Sequence, residues 1–366
     1  MSSSATTTDE TTLSAGDWVE VRSKEEILRT LDRGQLDSLP FMPQMFDYCG
    51  QRFQVFQRAH KTCDTVNRTG GRHLAGAVHL QGLRCNGAAY GGCDAACLIF
   101  WKQAWLKPVP KQGLVRGPSA PTANASAEVP TCTEQDVVRA TRAAGSDDAD
   151  PTYVCQATRL PDYTTLLPWW DIRQYAEDYT SGNVDLRTIA EGALYVGFFG
   201  LTKLGQRFRG KQTLIKLYDR FQSLRGGVPF PRREGRVPPG KKTPTEVLGL
   251  QPGDLVRVKS FEQIRDTLDG ANKNRGLFFD AEEVPYCGQV HRVRSRVNRI
   301  VDERTGKLIK VLGNTVILEQ VWCKGHYSDR RMFCPRAIYS FWRETWLERV
   351  DPSSQEALSH TQGAAG

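Results

Sequence analysis

The chain has 366 residues, of which 39% are hydrophobic, and a formal net charge of +8. This length accommodates two or three domains that each bury a core. The longest apolar run, at 193–201, is about half of the roughly 18 to 20 residues that a membrane-spanning helix needs, so we expect no transmembrane segment. Residues 1–12 lack the basic and apolar parts of a signal peptide, and we expect a cytoplasmic protein.

Residues 15–107 and 252–350 are predicted to be two copies of one repeat module. Four sequence blocks recur in the same order in both copies. They begin at Gly16 and Gly253, Glu25 and Glu262, Tyr48 and Tyr286, and Phe100 and Phe341. The first block is Gly-Asp-x-Val-x-Val and the third is Tyr-Cys-Gly-Gln. Matches of this kind at similar spacing indicate an internal duplication.

Each copy combines short strand patterns, separated by turns, with one helix at its end. In the first copy Leu98, Trp101 and Trp105 have helical spacing, which predicts a closing helix with one core-facing side. The opening block followed by a meander of strands resembles SH3-like barrels. The predicted fold class is therefore α+β, with two repeated small β-barrel-like (SH3-like) modules, each with a closing helix, separated by a small helical domain.

The remaining segments are predicted from composition. Residues 1–14 and 351–366 are expected to be disordered tails, 108–152 a flexible linker and 227–251 a basic linker. Residues 153–226 regain aromatic residues and helical spacing, which predicts the small helical domain. Within it, a set of apolar residues is expected to face the core. These residues are Leu214, Leu217, Tyr218, Phe221 and Leu224.

The ten cysteines fall into a pattern once the two copies are aligned. Without an export signal they are expected to be reduced thiols or metal ligands rather than disulfides. Three have counterparts in the other copy: Cys49 with Cys287, Cys85 with Cys323, and Cys93 with Cys334. Three first-copy residues have none: His60 aligns with Asn298, Cys63 with Val301, and Cys97 with Ile338. Cys132 and Cys155 lie in the insert.

This asymmetry predicts a zinc or iron–sulfur site in the first copy. Cys93 and Cys97 are four residues apart at the expected start of a helix, Cys85 precedes a glycine-rich loop, and Cys63 or His60 would supply a fourth ligand. The alternative is that Cys63 and Cys97 are small buried residues, as Val301 and Ile338 would be in the other copy. No Cys-x-x-Cys spacing identifies the metal.

A second metal site is possible in the other copy. Its ligands would be Cys287, Cys323, Cys334 and His326. Thiolate and imidazole groups suit zinc, so this set has the right chemistry although it lacks a counterpart of Cys97.

The string from Cys85 through Gly92-Cys93 to Phe100-Trp101 and Trp105 is similar to uncharacterised bacterial tandem-repeat proteins associated with biosynthetic gene clusters. No activity is established for that group, so the resemblance implies no catalytic residue.

The positive charge is concentrated in one segment. Between Lys203 and Lys242 there are twelve basic residues against only Asp219 and Glu234. The basic residues expected to bind an anion are Lys211, Lys216, Arg220, Arg232 and Arg233. Nucleic acid phosphates or an anionic membrane surface would be suitable partners, while a solvated helix face and a charged linker are the alternative.

The leading hypothesis is thus a metal- or cluster-binding protein with its site in the first copy. A redox or biosynthetic enzyme would be one protein of this kind. The alternative is a nucleic-acid or polyanion-binding protein that uses residues 203–242, with structural cysteines. The sequence shows no phosphate-binding loop, dinucleotide fingerprint or Ser-His-Asp order, so it identifies no catalytic residue and leaves open whether the protein is an enzyme.

Overall fold

A computed structural model describes residues 12–110, 132–205, 210–328 and 330–350. These residues form a mixed structure with 26% helix and 27% strand, which confirms the α+β class. Most of the predicted tails and residues 111–131 of the predicted linker lie outside the described residues.

The first repeat is a curled five-stranded antiparallel sheet with one short helix. Its elements are β1 (Trp18–Val21), α1 (Lys24–Thr30), β2 (Gln35–Leu36), β3 (Leu39–Pro40), β4 (Arg52–Arg58), β5 (Lys61–Cys63), β6 (Gly71–His73), β7 (Ala77–Arg84), β8 (Leu98–Lys102) and β9 (Leu106–Val109). The strand order is β8-β7-β4-β1-β9, and β5 and β6 form a separate hairpin. Helix α1 begins at a capping box, because Ser23 and Glu26 satisfy each other's backbone N–H groups.

The described residues of the insert form one strand and four helices. They are α2 (Glu134–Arg139), β10 (Thr165–Leu167), α3 (Arg173–Thr180), α4 (Leu186–Gly205) and α5 (Lys211–Arg225). Strand β10 pairs with β6 of the first repeat, so part of the insert extends a sheet of that repeat. Helices α4 and α5 pack around Tyr195, Ile215 and Tyr218.

The second repeat has the same order of elements. They are β11 (Leu255–Val258), α6 (Phe261–Arg265), β12 (Lys273–Asn274), β13 (Leu277–Phe278), β14 (Val290–Arg296), β15 (Arg299–Val301), β16 (Leu308–Lys310), β17 (Thr315–Trp322), β18 (Tyr339–Arg343) and β19 (Leu347–Arg349). The sheet order β18-β17-β14-β11-β19 repeats that of the first sheet. The β-bulge after Val55 recurs after Val293, at the aligned position. The prediction of two repeated β modules is confirmed.

The predicted closing helix is wrong in both repeats. Residues 98–109 form strand β8, a single 3-10 turn and strand β9, and the same path occurs at 339–349. Strand β8 is a run of large apolar residues buried on both faces, which favours a strand over an amphipathic helix. The turn returns Trp105 to the core beside Trp101, and both rings are fully buried.

Two predicted linkers contain packed residues. Helix α2 lies within 108–152 and buries Val137 in the core of the first repeat. Within 227–251, Phe230 is buried against helices α4 and α5, and Leu250 is buried in the core of the second repeat. These segments are not wholly flexible linkers, because their few apolar side chains pack into the hydrophobic cores beside them.

Helix α5 exposes part of the face that was expected to be buried. Tyr218 is buried and Leu214 is half-buried, but Leu217 is 56% exposed and Leu224 is 82% exposed. In the described part of the chain, no helix has the length and hydropathy needed to cross a membrane.

Candidate cysteine site

The glycine-rich loop between β7 and β8 is a tight crossing of the backbone. Gly87 has a φ of +71°, and a Cβ atom there would lie 2.0 Å from the carbonyl oxygen of Cys93. Only glycine fits, since any side chain would both strain the left-handed backbone and collide with Cys93. The loop therefore brings Cys85 and Cys93 to neighbouring positions at its two ends.

Four thiols line one cavity beside this loop. They belong to Cys85, Cys93, Cys97 and Cys155. The other walls include Tyr90 and Phe100 of the first repeat, and Val301, Glu303 and Arg336 of the second repeat. The cavity has a volume of about 40 Å³, which is more than the space one water molecule requires. We call it the four-thiol cavity.

Cys155 reaches this cavity because the insert is fastened to the edge of the first sheet. The side-chain amide of Gln156 accepts a hydrogen bond from the N–H of Phe100 (2.9 Å) and donates one to its carbonyl oxygen (3.0 Å). Strand β8 is an edge strand, and Gln156 satisfies the free side of its backbone. The neighbouring residue Cys155 is thereby fixed against the loop.

Three of the four sulfur atoms accept N–H hydrogen bonds. Cys85 Sγ accepts from the backbone of Gly87 (3.4 Å) and from Gln44 Nε2 (3.3 Å). Cys93 Sγ accepts from the backbone of Val301 (3.3 Å). Cys155 Sγ accepts from two backbone N–H groups just after it in the chain. Donors directed at sulfur favour a charged or metal-bound thiolate.

The apolar surroundings raise the pKa of the free thiols and so oppose the effect of the N–H donors. Burial raises the pKa of Cys85 to about 12 and raises the pKa of Cys97 and Cys155 above the usual range. These thiols are therefore protonated at neutral pH, unless a cation compensates the charge of the thiolate. All ten cysteines are free in this structure.

The predicted ligands His60 and Cys63 are not among the residues that line this cavity. Cys334 of the other repeat lowers the pKa of Cys63 to about 6. His60 Nε2 lies 3.2 Å from Asp178 Oδ1, next to a buried ion pair in which Lys61 Nζ is 2.5 Å from the other carboxylate oxygen. Burial lowers the pKa of Lys61. His60 and Lys61 thus join the first repeat to α3, and neither His60 nor Cys63 completes the four-thiol cavity.

The structure brings three of the four predicted second-repeat ligands to one cavity and leaves the fourth apart. Cys323, Cys334 and His326 line a different cavity between the repeats, which Cys287 does not line. Cys287 packs against the core of the second sheet, where burial raises its pKa to about 12. The backbone of His326 donates to the carboxylate of Glu282 (3.0 Å).

A geometric condition applies to any metal in this protein. A single zinc ion with Zn–S bonds of about 2.3 Å requires sulfur atoms within about 4 Å of one another. Across the described ranges, no group of three or more His, Cys, Asp or Glu side chains is arranged closely enough to hold one ion.

The two repeats contact each other reciprocally around the cysteine loops. The β15–β16 hairpin of the second repeat covers the first loop, with Val301 on Cys93 and with Asp94 accepting the N–H groups of Asn298 and Arg299. The β5–β6 hairpin of the first repeat covers the second loop, where Arg336 donates to Thr65 Oγ1 (2.6 Å) and Cys334 lowers the pKa of Cys63. Since Cys63 aligns with Val301 and Cys334 with Cys93, the two contacts are equivalent positions of the duplication.

The predicted anion-binding residues divide into two sets. Arg232 donates to Tyr195 Oη (2.8 Å) and to the carbonyl oxygen of Tyr327 (2.6 Å), so it joins the helices to the second repeat. The other four have acidic neighbours or face solvent. Arg233 pairs with Asp219, Lys211 lies 3.6 Å from Glu234, and Lys216 and Arg220 are exposed on α5.

Searches with this chain found no matching protein-family model, no matching curated protein and no matching solved structure. The candidate site therefore rests on its own geometry.

Cys155 is the member of the cavity that sequence reasoning missed. Like Cys97 it has no counterpart in the other repeat, and this was the available signal. The insert was interpreted as a separate domain, which removed Cys155 from the repeat that it completes.

Proposed function

We propose that this protein binds an iron–sulfur cluster in the four-thiol cavity, with Cys85, Cys93, Cys97 and Cys155 as its ligands. The observation that carries the proposal is the presence of four thiols on the wall of one small, largely apolar cavity. Four cysteines are the usual ligand set of both [2Fe–2S] and [4Fe–4S] clusters.

A cluster suits the spacing of these thiols better than a single ion does. The irons of a cluster are distributed over several positions, so their cysteine ligands lie further apart than the ligands of one zinc ion. Four thiols line one cavity, whereas among the described residues no three His, Cys, Asp or Glu side chains are close enough to hold a single ion. The N–H donors to Cys85, Cys93 and Cys155 would delocalise the negative charge of a bound cluster.

The surroundings favour electron transfer or redox catalysis over a purely structural role. A larger groove, of about 600 Å³, adjoins the four-thiol cavity and shares Ala95, Cys97, Val301 and Glu303 with it. Ligand sites have volumes of about 300 to 1,000 Å³. A substrate or electron carrier in this groove would lie against the wall that Cys97 forms, and a bound cluster would supply one-electron chemistry there.

The test is analysis of the full chain purified without oxygen and reconstituted with iron and sulfide. We expect about two to four irons per chain and an absorption band near roughly 400 nm. Cys155→Ser and Cys97→Ser should each lose most of the iron. Cys287→Ser, which changes a thiol outside the cavity, is the matched control and should retain it.

Three outcomes would contradict this proposal. One is less than about 0.2 iron per chain after reconstitution, measured against the stoichiometry of a cluster. Another is a Cys155→Ser variant with unchanged iron content. A colourless protein with about one zinc per chain that depends on the same cysteines would replace the cluster by a single ion.

Nucleic acid binding by α5 is a second candidate function, favoured by one observation. The exposed Lys216 and Arg220 flank Phe221, which is 38% exposed, and the guanidinium of Arg225 lies 5.3 Å from the centre of its ring. Exposed aromatic rings among basic residues form stacking platforms for bases.

Anisotropy of a labelled single-stranded oligonucleotide would test this second candidate. Binding should weaken by at least about tenfold between low and physiological salt. It should also be lost in the Lys216→Glu/Arg220→Glu double variant but not in Lys310→Glu, which alters an exposed lysine on β16. Absence of binding at low salt would eliminate this candidate.

A further inference from the structure

The groove beside the four-thiol cavity is lined by two equivalent turns of the duplication. The turn between β5 and β6 contributes Arg68, and the turn between β15 and β16 contributes Arg304. Both turns begin at an aspartate, Asp64 or Asp302, and both contain the sequence Arg-Thr-Gly, although the first turn is two residues longer. The groove therefore has one arginine from each repeat on its wall.

The aspartate of each turn holds the backbone in place. Asp64 Oδ1 accepts the N–H groups of the residues two and three positions later, at 3.1 and 2.8 Å. Asp302 Oδ1 accepts the N–H groups at the same two offsets, again at 3.1 and 2.8 Å. Hydrogen bonds of this kind stabilise one turn conformation. The two arginines are thus attached to turns with a defined backbone.

The charges of the groove leave a surplus of one positive charge. Its acidic residues are Asp302, which is engaged by its own turn, and Glu303, which lies 3.0 Å from the buried guanidinium of Arg336. Among the described residues, the guanidinium groups of Arg68 and Arg304 have no ion-pair or hydrogen-bond partner. Three arginines against two carboxylates favour a ligand with a single negative charge.

Most of the remaining lining of this groove is apolar. Its larger apolar side chains are those of Val66, Ile300, Val301, Ile338 and Phe341. Ile300 and Phe341 also pack on the buried cluster of Val297, Ile317 and Tyr339 in the second repeat. The core therefore holds this surface in position, and covering the surface would favour the binding of an apolar group.

We infer that the groove binds a small molecule with an apolar body and one carboxylate group. Arg68 and Arg304 would bind the carboxylate, since the parallel N–H groups of a guanidinium match its two oxygen atoms. The apolar body would lie against Cys97, which lines both the groove and the four-thiol cavity. This names the substrate class of the proposed function and rests on that function for the role of the molecule as a substrate, whereas the binding itself needs no cluster.

The size of the groove favours a small molecule over a protein partner. Its volume is about 600 Å³, which lies within the range of about 300 to 1,000 Å³ that is usual for small-molecule sites. A standard protein interface needs roughly 20 to 30 residues from each side. A groove of this size supplies fewer, so we assign it to a small molecule rather than to a protein electron carrier.

The experiment compares the binding of octanoate, 1-octanol and octylamine to the full chain by isothermal titration calorimetry at low ionic strength. The three probes share one apolar body and differ in the charge of the head group. We expect octanoate to bind at least about tenfold more tightly than 1-octanol, and octylamine to bind most weakly. Equal affinities for octanoate and 1-octanol would overturn the inference, as would a lack of octanoate binding.

Variants locate the binding within the groove. The double variant Arg68→Gln/Arg304→Gln should reduce the affinity for octanoate to that for 1-octanol. Lys310→Gln is the matched control, because Lys310 is an exposed cation on the second hairpin that does not line the groove. Ile338→Ala should weaken the binding of octanoate and 1-octanol by the same factor. An unchanged double variant, or an equal loss in Lys310→Gln, would contradict the inference.

The same titrations before and after reconstitution with iron and sulfide separate this inference from the proposed function. A chain that binds octanoate but holds no iron would contradict the cluster only. A chain that holds the expected iron but does not bind octanoate would contradict the ligand class only.

Discussion

The two cysteine loops begin alike and end differently. Gly87 and Gly325 both have a left-handed backbone that crosses close to the next cysteine, Cys93 or Cys334. The second loop is three residues longer, and Arg336 and Ile338 replace Ala95 and Cys97. The first loop surrounds a cavity with thiols, whereas the second extends the buried guanidinium of Arg336 to the wall of that same cavity.

This comparison teaches that the duplicated halves have become complementary rather than redundant. The second loop keeps the backbone geometry of the first but supplies a charged group, the buried guanidinium of Arg336, to the wall of the cavity. The shared features position the backbone in both copies, whereas Cys97 and Arg336, which differ between the copies, both line the four-thiol cavity. Four changes would break or sharpen this distinction.

The largest expected effect concerns a feature that both copies share. Trp105 and Trp346 are fully buried, and each indole donates to the hydroxyl of an aligned threonine, Thr30 (3.0 Å) or Thr267 (2.9 Å). Trp105→Ala and Trp346→Ala should each lower the free energy of unfolding by about 3 to 5 kcal/mol in denaturant titrations. Thr30→Val and Thr267→Val should cost about 1 kcal/mol each. A loss of less than about 1 kcal/mol for either tryptophan variant would show that the repeats are packed differently.

The next effect compares the two loop glycines. A Cβ atom would lie 2.0 Å from backbone at Gly87 and 2.7 Å from backbone at Gly325. Gly87→Ala should therefore destabilise more than Gly325→Ala, and by more than about 2 kcal/mol in thermal unfolding. Gly82→Ala isolates the backbone strain, since Gly82 has a φ of +77° and open space around it. Equal losses in all three variants would mean that the close crossing is unimportant.

A third effect depends on pH and on a residue that differs between the copies. Burial raises the pKa of Glu282 to about 7, and its first-repeat counterpart is the neutral Gln44. The folded state holds the proton of Glu282 more tightly than the unfolded state does. The contribution of this protonated carboxyl to the free energy of unfolding therefore falls as pH rises from about 4.5 to about 7. Removing the group by Glu282→Gln should reduce the loss of stability over this range by about 1 to 3 kcal/mol. Parallel pH profiles of both proteins would contradict the assigned pKa.

The smallest effect tests the contact between the repeats. Asp94 accepts the N–H groups of Asn298 (2.8 Å) and Arg299 (3.1 Å), and Pro335 at the aligned position has no equivalent side chain. Asp94→Ala should cost about 1 kcal/mol, whereas Asp94→Asn, which keeps an acceptor oxygen, should cost less. Urea titration would measure both. A loss for the asparagine variant as large as that of the alanine variant would show that the charge matters more than the hydrogen bonds.

The sequence predicted the duplication and the mixed fold because the repeated blocks coincide with strands and turns. It did not predict the path of the chain at Trp101 and Trp105. Four-residue spacing is produced both by a helix and by a strand that enters a 3-10 turn, and only packing distinguishes them. Local spacing was enough to group Cys85, Cys93 and Cys97, because all three lie in one short loop of the chain. Cys63 and Cys155 were misplaced because their neighbours belong to distant segments of the chain.

The reciprocal contact around the loops has a consequence for the history of the chain. A surface that meets its own equivalent is self-complementary, which is the property that lets two identical subunits pair as a symmetric dimer. The covalent connection holds the partners at high effective concentration whatever their affinity. A substitution then affects one half only, as at Arg336 and Ile338, and an ancestral homodimer can evolve into an asymmetric protein without ever losing its interface.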